Sequence, residues 1–166
     1  MKKLDWQEPI ALFNGAQTRQ LESLAAARIT RGDSLMAQAG LAVARLAMAI
    51  KPFAPCYWIF CGPGNNGGDA CIVAHQLAVL GMHVQWVNCP GHSEPSADRQ
   101  AAERLCISLL EPTEWPEEGL PLTRDTVVID GLLGIGCTRA PEGLIARIIE
   151  SVNTQIDMQQ GPHQPG

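Results

Sequence analysis

Lysine is scarce in this chain and confined to its first third: of 166 residues, only Lys2, Lys3 and Lys51 carry the ε-amine. Nothing after position 51 can form a Schiff base or grip a terminal phosphate through an ammonium, which argues against pyridoxal-type chemistry. Charged residues make up 17% of the chain and the net charge is −5, with the arginines scattered from Arg19 to Arg147. No basic stripe offers a footprint for nucleic acid. Among the six cysteines no two have C-x-x-C spacing; several lie in apolar stretches, where a reduced thiol packs as a small hydrophobe, so buried thiols are expected ahead of zinc. Eighteen uninterrupted apolar residues occur nowhere, and the charged start Met1-Lys2-Lys3 has no apolar run behind it. The expectation is a soluble, cytoplasmic protein with no membrane partner.

What is present is an alternation of strand and helix patterns. At 46% hydrophobic, the chain has the apolar content of one globular core. A helix is predicted from Gln17 to about Arg28, and after Arg31-Gly32-Asp33 a longer one begins, capped by Asp33 or Ser34 and closed by Lys51-Pro52. The longer helix carries a broad apolar stripe (Leu35, Ala39, Leu46, Ile50, then Met36, Gly40, Val43, Ala47), which reads as core packing. The run Cys56 to Cys61 suits a strand buried on both faces. A helix over Asp69 to Leu80, with Val73, Leu77 and Leu80 inward, and a strand over His83 to Cys89 complete a right-handed parallel crossover. Beyond it lie a helix capped by Ser96 and ending near Leu105, a short strand at Leu109-Leu110, an irregular segment with three prolines from Glu111 to Leu122, and a buried strand ending at Asp130. Leu144 to about Asn153 is the last predicted helix, and residues 154–166, polar and rich in glutamine and proline, read as a disordered tail. The fold class is therefore α/β: a three-layer αβα, Rossmann-like, mostly parallel sheet with an N-terminal helical segment.

Ligands of such sheets bind beyond the carboxyl ends of the strands, and two glycine-rich loops fall there. The first, Gly62-Pro63-Gly64-Asn65-Asn66-Gly67-Gly68-Asp69, contains G-x-G-x-x-G and runs from strand into helix. Backbone amides at such a helix start can meet a pyrophosphate, and the alternative is a tight turn with Asp69 serving the helix dipole. Gly68-Asp69 replaces the Lys-Ser/Thr of a Walker loop, which argues against a kinase or ATPase. The next strand ends in Asn88-Cys89-Pro90 without a ribose-binding acid, which argues against an ordinary nicotinamide dehydrogenase. The second loop starts at Asp130 and runs through Gly131 to Gly143. A strand-end carboxylate there serves either a site or the amides of the following turn. Asp130, the amide oxygen of Asn66 and nearby carbonyls would form a hard oxygen set of low charge, suited to a monovalent cation. None of the histidines, His75, His83, His92 and His163, has a partner visible in the sequence.

The pairing of Gly-Pro-Gly-Asn-Asn-Gly-Gly-Asp (62–69) with Asp-Gly-Leu-Leu-Gly-Ile-Gly (130–136), together with Leu-Met-Ala-Gln-Ala-Gly (35–40), resembles the NAD(P)HX epimerase family, the YjeF amino-terminal domain, over residues 11–153. The resemblance implies epimerisation at C6 of hydrated NADH or NADPH, interconverting the R and S forms for repair by an S-specific dehydratase as functional partner. It also implies substrate binding by Asn65, Asn66, Gly67, Gly68, Asp69, Gly134, Ile135, Gly136, Cys137, Thr138, Arg139 and Ala140, with Asn66 and Asp130 as potassium ligands, Asp130 as catalytic acid or base, and a homodimer. The alternative is a catalytically inactive nucleotide- or ligand-binding module. Three positions depart from the family pattern: Gly131 stands for the usual Ala, Ala70 for the usual Gly, and Ile135 where Thr is common. The family's later strand, resembling V-D-I-P-S-G, has no counterpart after Asn153, which predicts an exposed edge on the neighbouring strand.

Overall fold

The computed structural model describes residues 12–28, 34–91, 93–116 and 118–160. Ala11, the expected turn at 31–33, His92 and residues 161–166, with His163, lie outside the described residues. The chain divides into two compact units, Met1–Gly32 and Asp33–Gly166.

The first unit contributes α1, Gly15–Ala26. It begins ahead of the predicted Gln17 because Asn14 caps it: its side chain accepts from the amides of Ala16 and Gln17, while Gln17 Oε1 accepts from Asn14 N at 2.9 Å. This reciprocal capping box satisfies amides that the first turn leaves without partners.

The second unit runs α2 (Leu35–Ile50), β1 (Tyr57–Cys61), α3 (Asn65–Val79), β2 (Val84–Asn88), α4 (Ala97–Ile107), β3 (Val127–Gly131) and α5 (Gly143–Gln160). The three strands are parallel in the order β2-β1-β3. Successive strand side chains point to opposite faces, and β1 is buried at every position. Tyr57, Ile59 and Cys61 join α2, α3 and α4 through Met36, Val73, Leu77 and Cys106. Trp58 and Phe60 face the other way, against Leu132 and Ile148 of the β3–α5 arm. This is the expected αβα sandwich.

Several boundaries differ from the sequence reading. The stripe on α2 is buried only at Met36, Gly40, Ala44 and Ala47, whereas Val43, Leu46 and Ile50 are exposed. The apolar arc is wider than the neighbouring helix can cover: contact with α3 centres on Gly40, where an added Cβ would stand 2.5 Å from Ile72 Cβ. Leu80, expected inward, is exposed past the end of α3. Leu109-Leu110 is a turn closing α4, its amides bonding to Cys106 O at 3.1 and 2.9 Å, and no strand forms there. The following proline-rich segment touches β2 through Thr113 N to Trp86 O at 2.7 Å. β3 is half-buried over Val127, Val128 and Ile129 instead of fully buried, because among the described residues it pairs with β1 alone. Finally, α5 continues past Asn153 to Gln160, so the first part of the expected tail is helical. Gln155 secures this extension, accepting from Leu122 N at 3.4 Å, and no helix-breaking residue occurs before Gly161.

Candidate functional site

After β1 the chain enters α3 on one face of the sheet, and after β3 it enters α5 on the other. β1 and β3 are neighbours, with Phe60 opposite Asp130 and Cys61 opposite Gly131. The carboxyl edge between two such strands, whose chains leave to opposite faces, is where ligands of open parallel sheets bind. Both glycine-rich loops line it.

The first loop is shorter than its sequence suggests. Asn65 to Gly68, ahead of the helix start expected at Asp69, form the first turn of α3, with Gly64 as N-cap and no side-chain cap bond. The missing cap leaves the first-turn amides open to an external acceptor. Close backbone approach explains two of the glycines: a Cβ on Gly62 would lie 1.9 Å from Leu132 O, and one on Gly67 would lie 1.9 Å from Gly62 O. No side chain fits at either position, so the two loops run back to back.

Asn66 connects them. Its Nδ2 donates to Leu133 O at 3.0 Å, which leaves its Oδ1 as the free end of the amide. Asp130 lies exposed at the end of β3, and its Oδ1 accepts from Leu132 N at 2.8 Å. The turn-bonding role considered for this carboxylate is thus present, and it engages one oxygen, Oδ1. Gly131 sits beneath the first turn of α3: an added Cβ would be 3.0 Å from Asn66 O and 2.4 Å from Ala70 Cβ.

The remaining expected residues are less concentrated. Gly134 stays close to Asn66, where a Cβ would approach Asn66 Cβ to 3.4 Å. Ile135, Gly136, Cys137, Thr138, Arg139 and Ala140 are all exposed, and the bonds of this stretch, Cys137 N to Gly134 O at 3.0 Å and Cys137 Sγ to Arg139 O at 3.1 Å, stay within the loop. A groove of about 750 Å³ lined by Trp115, Gly119, Arg147 and Met158 lies along α5 and contains none of the expected site residues.

Sequence reasoning missed the polar bracket behind the first loop. Arg99 of α4 is 2% exposed; its Nε donates to Gly62 O at 3.2 Å, Nη2 to Asn88 Oδ1 at 2.8 Å and Nη1 to Glu103 Oε2 at 3.0 Å. Asn88 Nδ2 closes the set onto Glu103 Oε1 at 2.6 Å. Asn88 occupies the strand end where a dinucleotide fold keeps its ribose-binding acid, and both ends of its amide are engaged internally. The only visible signal was the Arg99–Glu103 spacing of four on a helix; nothing local announced that Gly62 and Asn88 would meet it.

Residues 32–162 match the family model described as YjeF-related protein N-terminus. The chain belongs to the YjeF N-terminal family. Within or beside this family, it is 36% identical over 138 residues to a protein of Bordetella pertussis (strain Tohama I) named NAD(P)H-hydrate epimerase, covering 82% of this chain and 58% of that one. It is 29% identical over 154 residues to the NAD(P)H-hydrate epimerase of Clavibacter sepedonicus, covering 92% and 67%. A bifunctional NAD(P)H-hydrate repair enzyme of Thermofilum pendens is 32% identical over 145 residues, covering 79% of this chain and 27% of that protein. The chain therefore spans little more than half of the Bordetella protein and about a quarter of the Thermofilum one. The crystal structure of the yeast protein ynu0 superposes with a TM-score of 0.66 at 19% identity, over 87% of this chain and 65% of that one. The likeness supports the fold.

Proposed function

We propose that this YjeF domain interconverts the R and S forms of hydrated NADH and NADPH, so that an S-specific dehydratase can restore the cofactor. The observation that carries the reading is the Asn66–Leu133 bond, which brings the uncapped start of α3 and the Asp130 loop to one crevice. Relatives named NAD(P)H-hydrate epimerase support the substrate class, and the bifunctional repair enzyme supports the dehydratase as partner activity.

The open amides of Asn65, Asn66 and Gly67 suit the pyrophosphate, while Asp130 Oδ2 suits the nicotinamide end. The hydrated ring carries its hydroxyl on the carbon beside the ring nitrogen. Inversion there needs a proton delivered to the leaving oxygen, cleavage of the carbon–oxygen bond with the nitrogen lone pair filling in, and addition of water to the opposite face with loss of a proton. Asp130 Oδ2 would accept that last proton, with water or a second group serving the departing hydroxyl. The exposed loop from Gly134 to Ala140 would close over the nucleotide.

Asn66 Oδ1 and Asp130 Oδ2 are hard oxygen donors left available by their other bonds, and their chemistry fits a potassium ion. These two residues would hold it, and it would offset negative charge near the substrate's phosphates.

The test follows an R and S mixture of hydrated NADH by chromatography, with an S-specific dehydratase as consumer. The wild-type chain should accelerate loss of the R form and Asp130→Asn should not. Binding of ADP-ribose without any acceleration would select the binding-module reading instead.

A further inference from the structure

Asn65 opens α3 beside the crevice, and its partner comes from another element. Ser96, the N-cap of α4, donates its hydroxyl to Asn65 Oδ1 at 2.7 Å. The same Ser96 Oγ accepts from Arg99 N at 3.2 Å. Ser96 Oγ thus gives its proton to Asn65 and a lone pair to the first turn of α4, so the two roles are tied to one atom.

In this arrangement one end of the Asn65 amide remains open. With Oδ1 occupied, Nδ2 is the free end, and a donor joins the open first-turn amides of α3. The reversed amide would present an oxygen and repel an anion. Three residues further along α4, buried Arg99 holds Gly62 O, the carbonyl immediately ahead of the same turn. One turn of α4 thus grips the ligand loop at both ends, at Gly62 and at Asn65.

We infer that Ser96 is a positioning residue for an anionic ligand oxygen at the start of α3, acting by holding Asn65 with its amide nitrogen outward, backed by Arg99 on Gly62. The inference rests on the nucleotide reading above for the identity of the ligand, and it names phosphate or pyrophosphate oxygen as the group received. It also gives the exposed Ser96 a task beyond capping α4.

Capping and positioning separate by substitution. Ser96→Gly keeps an acceptable N-cap residue but removes the donor, whereas Ser96→Thr keeps both. The experiment titrates ADP-ribose into the intact chain by calorimetry, records Tm, and follows the Asn65 side-chain amide by ¹H–¹⁵N NMR in the free protein. Ser96→Gly should weaken binding about tenfold, the scale of one lost hydrogen bond, with Tm within about 2 °C of wild type; Ser96→Thr should restore affinity. Wild-type affinity in Ser96→Gly would overturn the inference while leaving the nucleotide reading intact. If the wild type fails to bind ADP-ribose, the nucleotide reading fails, and the free-protein spectrum decides: Asn65 amide signals displaced in Ser96→Gly and restored in Ser96→Thr support positioning, and signals unchanged in both overturn it.

Discussion

Gly131 and Ala70 share the space of one methyl group: a Cβ on Gly131 would stand 2.4 Å from Ala70 Cβ. In the family pattern the larger residue is at the strand end and glycine at the helix. Measured against the pattern that the resemblance implies, the two are exchanged here, and their proximity makes compensation between them a testable expectation. Gly131→Ala alone should overpack this contact and cost about 1–3 kcal/mol. Gly131→Ala combined with Ala70→Gly should recover part of that loss, since the clash with Ala70 is relieved while the backbone oxygens of Phe60 and Asn66 still stand 2.9 and 3.0 Å from the new Cβ. Urea denaturation of the four-member cycle measures the coupling; additive losses would show that the two sites are independent.

Asn66 joins the loops through its amide nitrogen, so Asn66→Asp replaces a donor with a carboxylate facing Leu133 O. Affinity for ADP-ribose should fall on the order of tenfold or more, while Tm changes little because the bond is exposed. Calorimetry and thermal denaturation of the same sample check both parts.

Cys89 follows β2, is buried, and its thiol is pushed up from 9.0 to about 11, chiefly by burial and against the pull of Arg99. Burial raises Tyr57 in the same direction. For a group whose folded value is raised, stability is fully present below the unfolded value and is lost as pH rises through the folded one. Tm should therefore hold up to about pH 9 and decline toward pH 11. Cys89→Ala should flatten part of that decline in a pH series of thermal scans.

Cys137 is the exposed cysteine of the second loop, whereas Cys61, Cys71, Cys89 and Cys106 are buried. Ellman's reagent should modify Cys137 in the fast phase and the buried four only on denaturation. ADP-ribose should slow the fast phase if the loop closes on the nucleotide. Peptide mass mapping after brief labelling identifies the residue.

No helix among the described residues is long and apolar enough to cross a membrane. That agrees with the sequence, which contains no apolar run of that length.

The sequence by itself determined the alternation of strands and helices, because β1 is a continuous apolar run and the helices carry apolar faces at helical spacing. It also located both glycine-rich loops at strand ends. Helix limits were less legible where capping decided them: Gly64 starts α3 ahead of Asp69, and the Gln155 contact with the 119–122 segment carries α5 past Asn153. Only the tertiary structure decided that α3 and α5 leave on opposite faces, that Asn66 reaches Leu133, and that Gly131 accommodates Ala70. It alone brought Ser96, Arg99, Asn88 and Glu103 behind the first loop. The reason is range: helix and strand periodicity is set by neighbours a few residues apart, whereas Asn65–Ser96 and Asn66–Leu133 are separated by 31 and 67 positions and meet only when the sheet aligns their strands.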